Sequence, residues 1–209
     1  MKKSIPIVFV IDDDRSVCRA IQRLVKSLGL QVEIFSSARE FLFSKRPQAP
    51  SCLIREVRLR GISNADFQRN LGQAEINIPT IYIAAHGDIR TAVRAMKSGA
   101  VEFLPKPFRD QELVEAIQSA LERDRRERQL EIEVEALRKR LESLTPRELQ
   151  VVTLVVSGMP NKLIGDQIGI SENTVKAHRG RAMSKVHATS LPDLVRIFET
   201  IVTHARRAA

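Results

Sequence analysis

Ile7-Val8-Phe9-Val10-Ile11-Asp12-Asp13-Asp14 is the stretch on which the reading of the first half of the chain turns. Its five apolar residues run without polar interruption and are mostly β-branched, which predicts a strand buried on both faces, as in parallel sheets. Three carboxylates follow at the carboxyl end of that strand, where open α/β sheets bind ligands. Val17, Ile21, Leu24, Val25 and Leu28 then recur at spacings of three and four, one face of a helix that Gly29 ends. Further apolar runs at 32–35, 52–54, 80–84 and 101–104, with helical patterns between most of them, repeat the strand-helix unit. The expectation is a doubly wound α/β domain with a five-stranded parallel sheet and helices on both faces.

The chain has 209 residues, more than one such domain needs and enough for two small ones. Hydrophobic residues at 43% and charged residues at 28% exclude collagen-like, mucin-like and largely disordered classes. Residues 151–156 are among the longest apolar runs, far short of the roughly 18 residues of a membrane span. The apolar run after Lys2 and Lys3 ends at Asp12 without a small-residue cleavage site, so a cytoplasmic protein is expected. Cys18 and Cys52 lack metal-ligand spacing and read as buried thiols of a reducing compartment.

The net charge of +9 suggests a polyanionic partner without naming it. Residues 1–120 hold 18 basic and 13 acidic side chains, residues 121–143 hold 7 of each, and residues 144–209 hold 9 and 5. The excess is thus +5, zero and +4, which divides the chain into a domain at 1–120, a linker at 121–143 and a second domain at 144–209. From Leu113 to Leu144 there is no proline or glycine, and Leu130, Val134, Leu137, Leu141 and Leu144 follow a three-four spacing. Either a short coiled-coil seam of a dimer or a linker helix packed along its own domain fits that pattern.

The last 66 residues lack strand-like alternation. They predict four helices: from Pro146 to Gly158, from about Asn161 to Gln167, from Ser171, and after Leu191-Pro192-Asp193. Between the second and third, Ile168-Gly169-Ile170-Ser171 supplies a glycine turn and a serine N-cap, a helix-turn-helix layout.

Clustered carboxylates such as Asp12, Asp13 and Asp14 repel one another unless a divalent cation or a lysine lies near, and Lys106 stands just past the fifth strand. One of the three, chosen here as Asp14, caps the following helix. Residues 8–14, His86-Gly87-Asp88 with Ala92 through Ala100, and Phe103-Leu104-Pro105-Lys106-Pro107-Phe108 together resemble the flavodoxin-like receiver domain of two-component response regulators of the FixJ/NarL type. Residues 144–148, 158–162 and 170–181 resemble the LuxR-type DNA-binding domain that follows it, so the resemblance covers nearly the whole chain.

The resemblance implies that Asp12 and Asp13 hold Mg²⁺ beside an aspartate that takes a phosphoryl group from a histidine kinase. It also implies that Lys106 contacts the phosphoryl oxygens, that the Lys106-Pro107 bond is cis, and that a hydroxyl on the fourth strand and Phe103 form the switch. Two positions depart from this. Glu56 stands at the acceptor position, with Arg55 before it and Arg60 in place of the usual proline, and Ala84 stands where the hydroxyl belongs.

Three outcomes are open: Glu56 reaches Lys106 and acts as a fixed partial substitute for the phosphorylated state; Arg55 or Arg60 folds over the acids in place of Mg²⁺ and the domain is inert; or weak phosphorylation survives, with Asp13 and Glu56 as Mg²⁺ ligands. No cofactor is required under the first two.

In the second domain, Val175, Met183 and Val186 are expected to face the core, with Lys176, Arg179 and Arg181 elsewhere on the helix. By position in the resembled family, Lys176 and Ala177 contact bases and Gly180 fills a third contact position without a side chain, which shifts specificity to Lys176, Arg179 and DNA shape. Lys162, Thr174 and Arg181 are assigned to phosphates, and His178 to packing or a phosphate contact. The expected partners are double-stranded DNA, a second copy of the chain, a histidine kinase and RNA polymerase, with no membrane. A phosphoester hydrolase is disfavoured because Asp14 is followed by Arg15 and Ser16 rather than completing a D-x-D-x-T/V pattern. A protein-interaction adaptor without DNA binding is the remaining alternative.

Overall fold

The computed structural model describes residues 4–59, 61–85 and 89–208, and the chain divides into two compact units after Arg128. In the first unit, β1 (Ile7–Ile11), β2 (Gln31–Phe35), β3 (Ser51–Glu56), β4 (Thr80–Ala84) and β5 (Glu102–Pro105) form one sheet. Its order is β2-β1-β3-β4-β5, with every neighbouring pair parallel. All of β1 is buried, as its unbroken apolar run requires.

Side chains alternate between the faces. Val8, Val10, Cys52, Ile54, Ile81 and Ile83 pack with α1 (Arg15–Ser27) and with Leu113 and Ile117 of α5 (Asp110–Glu142). Phe9, Ile11 and Leu53 face α2 (Ala38–Phe43) and α3 (Asn64–Gln73) through Phe41 and Phe67. A smaller cluster joins Val57, Tyr82 and Ala84 to Ala95 of α4 (Ile89–Lys97). Because β2 and β3 flank β1, the crossovers leave β1 in opposite directions, and the crevice at the carboxyl ends of β1 and β3 is where this topology receives a ligand.

Helix α5 is continuous for 33 residues and runs straight through the expected 120/121 boundary. Leu121 and Asp124 are buried. The Asp124 carboxylate accepts the Ser51 amide at 2.9 Å and pairs with Arg128, so two further turns of the helix belong to the sheet's packing. This moves the boundary to Arg128.

In the second unit, α6 (Pro146–Val156), α7 (Asn161–Ile168), α8 (Glu172–Val186) and α9 (Leu191–Ala208) enclose one core. Leu137 and Leu141 of α5 and the buried Leu144 pack into that same core, so three of the five supposed seam positions are taken up by a helix lying on its own domain. Thr145 and Glu148 form a reciprocal capping box with Pro146 in the first turn of α6. The fourth helix starts at Leu191, earlier than expected. Ser190 accepts the Asp193 amide at 3.3 Å and Asp193 accepts the Thr189 amide at 2.9 Å, a box that tolerates Pro192 because first-turn amides have no helical partner.

Candidate functional site

Asp12 leaves the end of β1 with its carboxylate buried, Glu56 is the last residue of β3, and Lys106 follows β5 on a cis Lys106-Pro107 bond. The Lys106 ammonium meets Asp12 Oδ2 at 2.8 Å and Glu56 Oε2 at 2.8 Å. Burial opposes its charge, but the hydrogen bonds to Asp12 and Glu56 outweigh that and hold its pKa above the ordinary lysine value. Asp14 caps α1 as expected, accepting from the Ser16 amide at 2.8 Å and the Ser16 hydroxyl at 2.7 Å. The Ser16 hydroxyl and amide lower its pKa.

Asp12, Asp13, Glu56, Arg58, Ala84 and Lys106 line one cavity of about 240 Å³. Among the described residues no three acidic, histidine or cysteine side chains converge as a metal site. Asp12, Asp13 and Glu56 nonetheless line the same cavity, with Lys106 on one oxygen each of Asp12 and Glu56. Ala84 is buried and brings no donor to the cavity. Phe103 is half-buried against the cluster of Tyr82 and Ala84.

Arg55 does not fold over the acids. The alternation of β3 turns it to the opposite face from its neighbour Glu56, where it is fully buried. Its guanidinium lies 4.2 Å from the Phe67 ring centroid and 5.3 Å from that of Tyr82, and Nη2 donates to Asn64 Oδ1 at 2.7 Å. Among the described residues Nη1 has no hydrogen-bond partner. Burial pushes the Arg55 pKa down to about 10. Arg60 and the His86-Gly87-Asp88 motif lie outside the described residues.

The second unit presents α7 and α8 across a tight turn. Gly169 takes a left-handed conformation, φ 72°, at the end of α7, which a side-chain-bearing residue adopts only with strain. A Cβ on Gly165 would stand 2.6 Å from the Ile170 carbonyl oxygen, so the two helices approach at a position with no room for a side chain. Ser171 then caps α8, accepting the Thr174 amide at 3.1 Å.

Val175, Ala182 and Val186 are the buried side of α8, with Met183 packed against them. Lys176, Ala177 and Gly180 are exposed together, and helical spacing puts them on one face. Thr174 and Arg181 are exposed on another side, seven residues apart and so near the same line along the helix. Arg179 is half-buried, one turn from Val175, which places it nearer the core than a base-reading residue should lie. Lys162 is exposed in the first turn of α7. His178 is half-buried, and among the described residues its buried Nδ1 has no hydrogen-bond partner.

Residues 8–118 match the family model for the response regulator receiver domain, and residues 142–198 match that for bacterial regulatory proteins of the luxR family. The chain is a two-component response regulator. Nodulation protein W of Bradyrhizobium diazoefficiens is 49% identical over 93% of this chain and 86% of its own length. The transcriptional regulatory protein FixJ of Rhizobium meliloti is 39% identical over 91% and 93%. Among solved structures, response regulator StyR superposes with a TM-score of 0.76 at 43% identity, covering 94% of this chain and 99% of that one. Full-length FixJ from B. japonicum gives a TM-score of 0.56 at 33% identity over 94% and 97%.

As a response regulator of this class, the chain joins a receiver domain to a LuxR-type helix-turn-helix domain and acts as a DNA-binding regulator of transcription. No helix among the described residues is long and apolar enough to cross a membrane. Two structurally important residues escaped the sequence reading: Lys185, whose ammonium meets the buried Glu148 at 2.7 Å, and Glu172, which pairs with Lys176. The second was visible as a four-residue spacing of opposite charges on one helix.

Proposed function

We propose that this regulator binds specific DNA sites through α7 and α8, as a homodimer on paired half-sites, and that its receiver does not run on ordinary aspartyl phosphorylation. The observation carrying this reading is the 2.8 Å pair of Glu56 with Lys106. A carboxylate delivered by β3 already engages the lysine that would hold a phosphoryl group, and supplies one fixed negative charge in place of nearly two.

Chemistry at Glu56 is disfavoured as well. Its extra methylene displaces the carboxylate by about 1.5 Å relative to aspartate, and phosphoryl transfer depends on positioning for most of its rate. At Ala84 a different step is lost. The hydroxyl that a phosphoryl group would draw in is absent, and with it a hydrogen bond to a charged group worth about 1.5 to 3 kcal/mol. The protein is on this reading not an enzyme, requires no cofactor, works without a histidine kinase as obligate partner, and acts on RNA polymerase in the cytoplasm from its DNA site.

The test is incubation of the full-length protein with acetyl phosphate and Mg²⁺ followed by intact mass and peptide mapping. Glu56 is expected to stay unmodified, and robust labelling there would sink the reading. Gel shifts over a salt series separate it from a DNA-independent adaptor, which would show no steep loss of a specific complex with added salt.

A further inference from the structure

In the second unit, an acid stands inside the surface assigned to DNA. Glu172 is the first residue of α8, and its Oε1 lies 2.9 Å from the Lys176 ammonium, one helical turn on. Both side chains are about half exposed, 45% for Glu172 and 56% for Lys176. The hydrogen bond from Lys176, then its charge, lower the Glu172 pKa, and Lys162 of α7 adds to the effect. One carboxylate is therefore felt by two of the cations assigned to DNA, from both helices of the motif.

An acid in the first turn of a helix is ordinary, because it complements the helix dipole. Here it has an added consequence. In a helix-turn-helix protein the N-terminal part of the second helix faces the base edges, and a DNA backbone at that place would meet a negative charge. To reach a phosphate or a purine acceptor, Lys176 has to turn its ammonium away from Glu172 or share it. A disordered encounter with phosphates offers the lysine no more than an exchange of one anion for another. A guanine, which offers Lys176 two acceptors at O6 and N7, offsets the loss of the carboxylate where a single phosphate oxygen does not.

We propose that Glu172 is a specificity-determining residue, a positioning residue that acts through Lys176: it holds the lysine off non-cognate DNA and releases it to the right base pair. The inference rests on the reading of Lys176 as a base-contacting residue. Discrimination by penalising the wrong partner, rather than by adding contacts to the right one, is a general route to specificity.

The test uses full-length protein and two duplexes: one recovered by the wild-type chain from a random-sequence library, and a shuffled version of it. For Glu172→Gln, which keeps shape and removes charge, the shuffled duplex should bind about three- to tenfold tighter. The slope of log affinity against log salt on that duplex should steepen by about 0.9, one additional phosphate contact. The selected duplex should gain less, so the ratio between the two falls. In a Lys176→Ala background, Glu172→Gln should no longer change that ratio, an outcome that a merely structural acid at the helix start would not produce.

Equal gains on both duplexes, which leave the ratio unchanged, or a change in the ratio that persists without Lys176 would each overturn the inference. Lys176→Ala alone tests the underlying reading separately. If it leaves the preference for the selected duplex intact, the base-contacting role of Lys176 falls, whatever Glu172 does.

Discussion

Arg55 holds a position where β3 demands an apolar side chain. The strand sends Leu53 into the sheet's second core cluster, and Arg55, two residues on, follows it to that face. Two aromatic rings and Asn64 accommodate the guanidinium, but a buried charge whose Nη1 amino group has no partner among the described residues is costly. Arg55→Met should therefore raise unfolding stability by on the order of 1 kcal/mol, while Arg55→Ala, which empties the space between the rings, should lower it by about 2 to 4 kcal/mol. Urea unfolding followed through Tyr82, the only tyrosine in a chain without tryptophan, reports on this unit. Two destabilised variants would contradict this account of Arg55. Sequence proximity had suggested Arg55 as a cover for the acids; strict two-residue alternation excludes it, because adjacent strand residues cannot serve one face. Glu148 poses the opposite case of a buried charge well met. The Lys185 hydrogen bond, with the Thr145 amide, holds its pKa at about 2 against an ordinary 4.5. A depressed carboxylate contributes stability that is whole above its unfolded pKa and is lost as pH falls toward the folded one. The thermal-melting gap between wild type and Glu148→Gln should thus be wide at pH 7 and narrow steadily between about pH 5 and pH 3; a constant gap would show that the charge is not what matters.

Elements with a strong local signal were legible: β4 spans Thr80–Ala84, matching its apolar run, and α6 begins at the Thr145-Pro146 cap. Boundaries failed where long-range packing decides them. β3 continues through Arg55 and Glu56 because their backbones are paired in register with Ile11, Tyr82 and Ile83, which side-chain polarity conceals. The linker at 121–143 was inferred from its charge balance, yet α5 carries a buried face on each side of Arg128 and a solvated remainder, and counting charge averages these together. Leu137 and Leu141 lie against the helical unit's core. Leu137→Ala and Leu141→Ala should each lower that unit's stability by about 1 to 2 kcal/mol, below the range for a fully buried leucine, and leave sedimentation behaviour unchanged. Dissociation of a dimer by either substitution would restore the coiled-coil interpretation. Thr145→Ala, which removes half of the capping box, should cost about 1 kcal/mol in the same unfolding experiment.

Across the molecule, the excess of +9 turned out to be a poor guide to where DNA binds, since +5 of it lies in residues 1–120 and +4 in residues 144–209. The cations assigned to the DNA face are Lys162, Lys176, Arg179 and Arg181, and with Arg179 half-buried they support a salt slope of about −3 to −4 for each bound protomer. The family was readable from separated motifs, and the proposed departure of the acceptor pocket rests on Glu56 and Ala84 in the sequence. What sequence could not supply was direction: whether Glu56 turns toward Lys106 depends on the cavity that Asp12, Ala84 and Lys106 shape together. On the proposed reading, that contact is what makes the receiver's state a property of the chain rather than of a phosphate donor. The most direct measurement is a footprint on a library-selected duplex, using protein never exposed to a phosphodonor, with Glu56→Ala beside wild type. Wild type should protect the site unaided and Glu56→Ala should need about tenfold more protein, a shift of about 1.4 kcal/mol; equal protection by the two would contradict the claim that Glu56 stands in for the phosphorylated state.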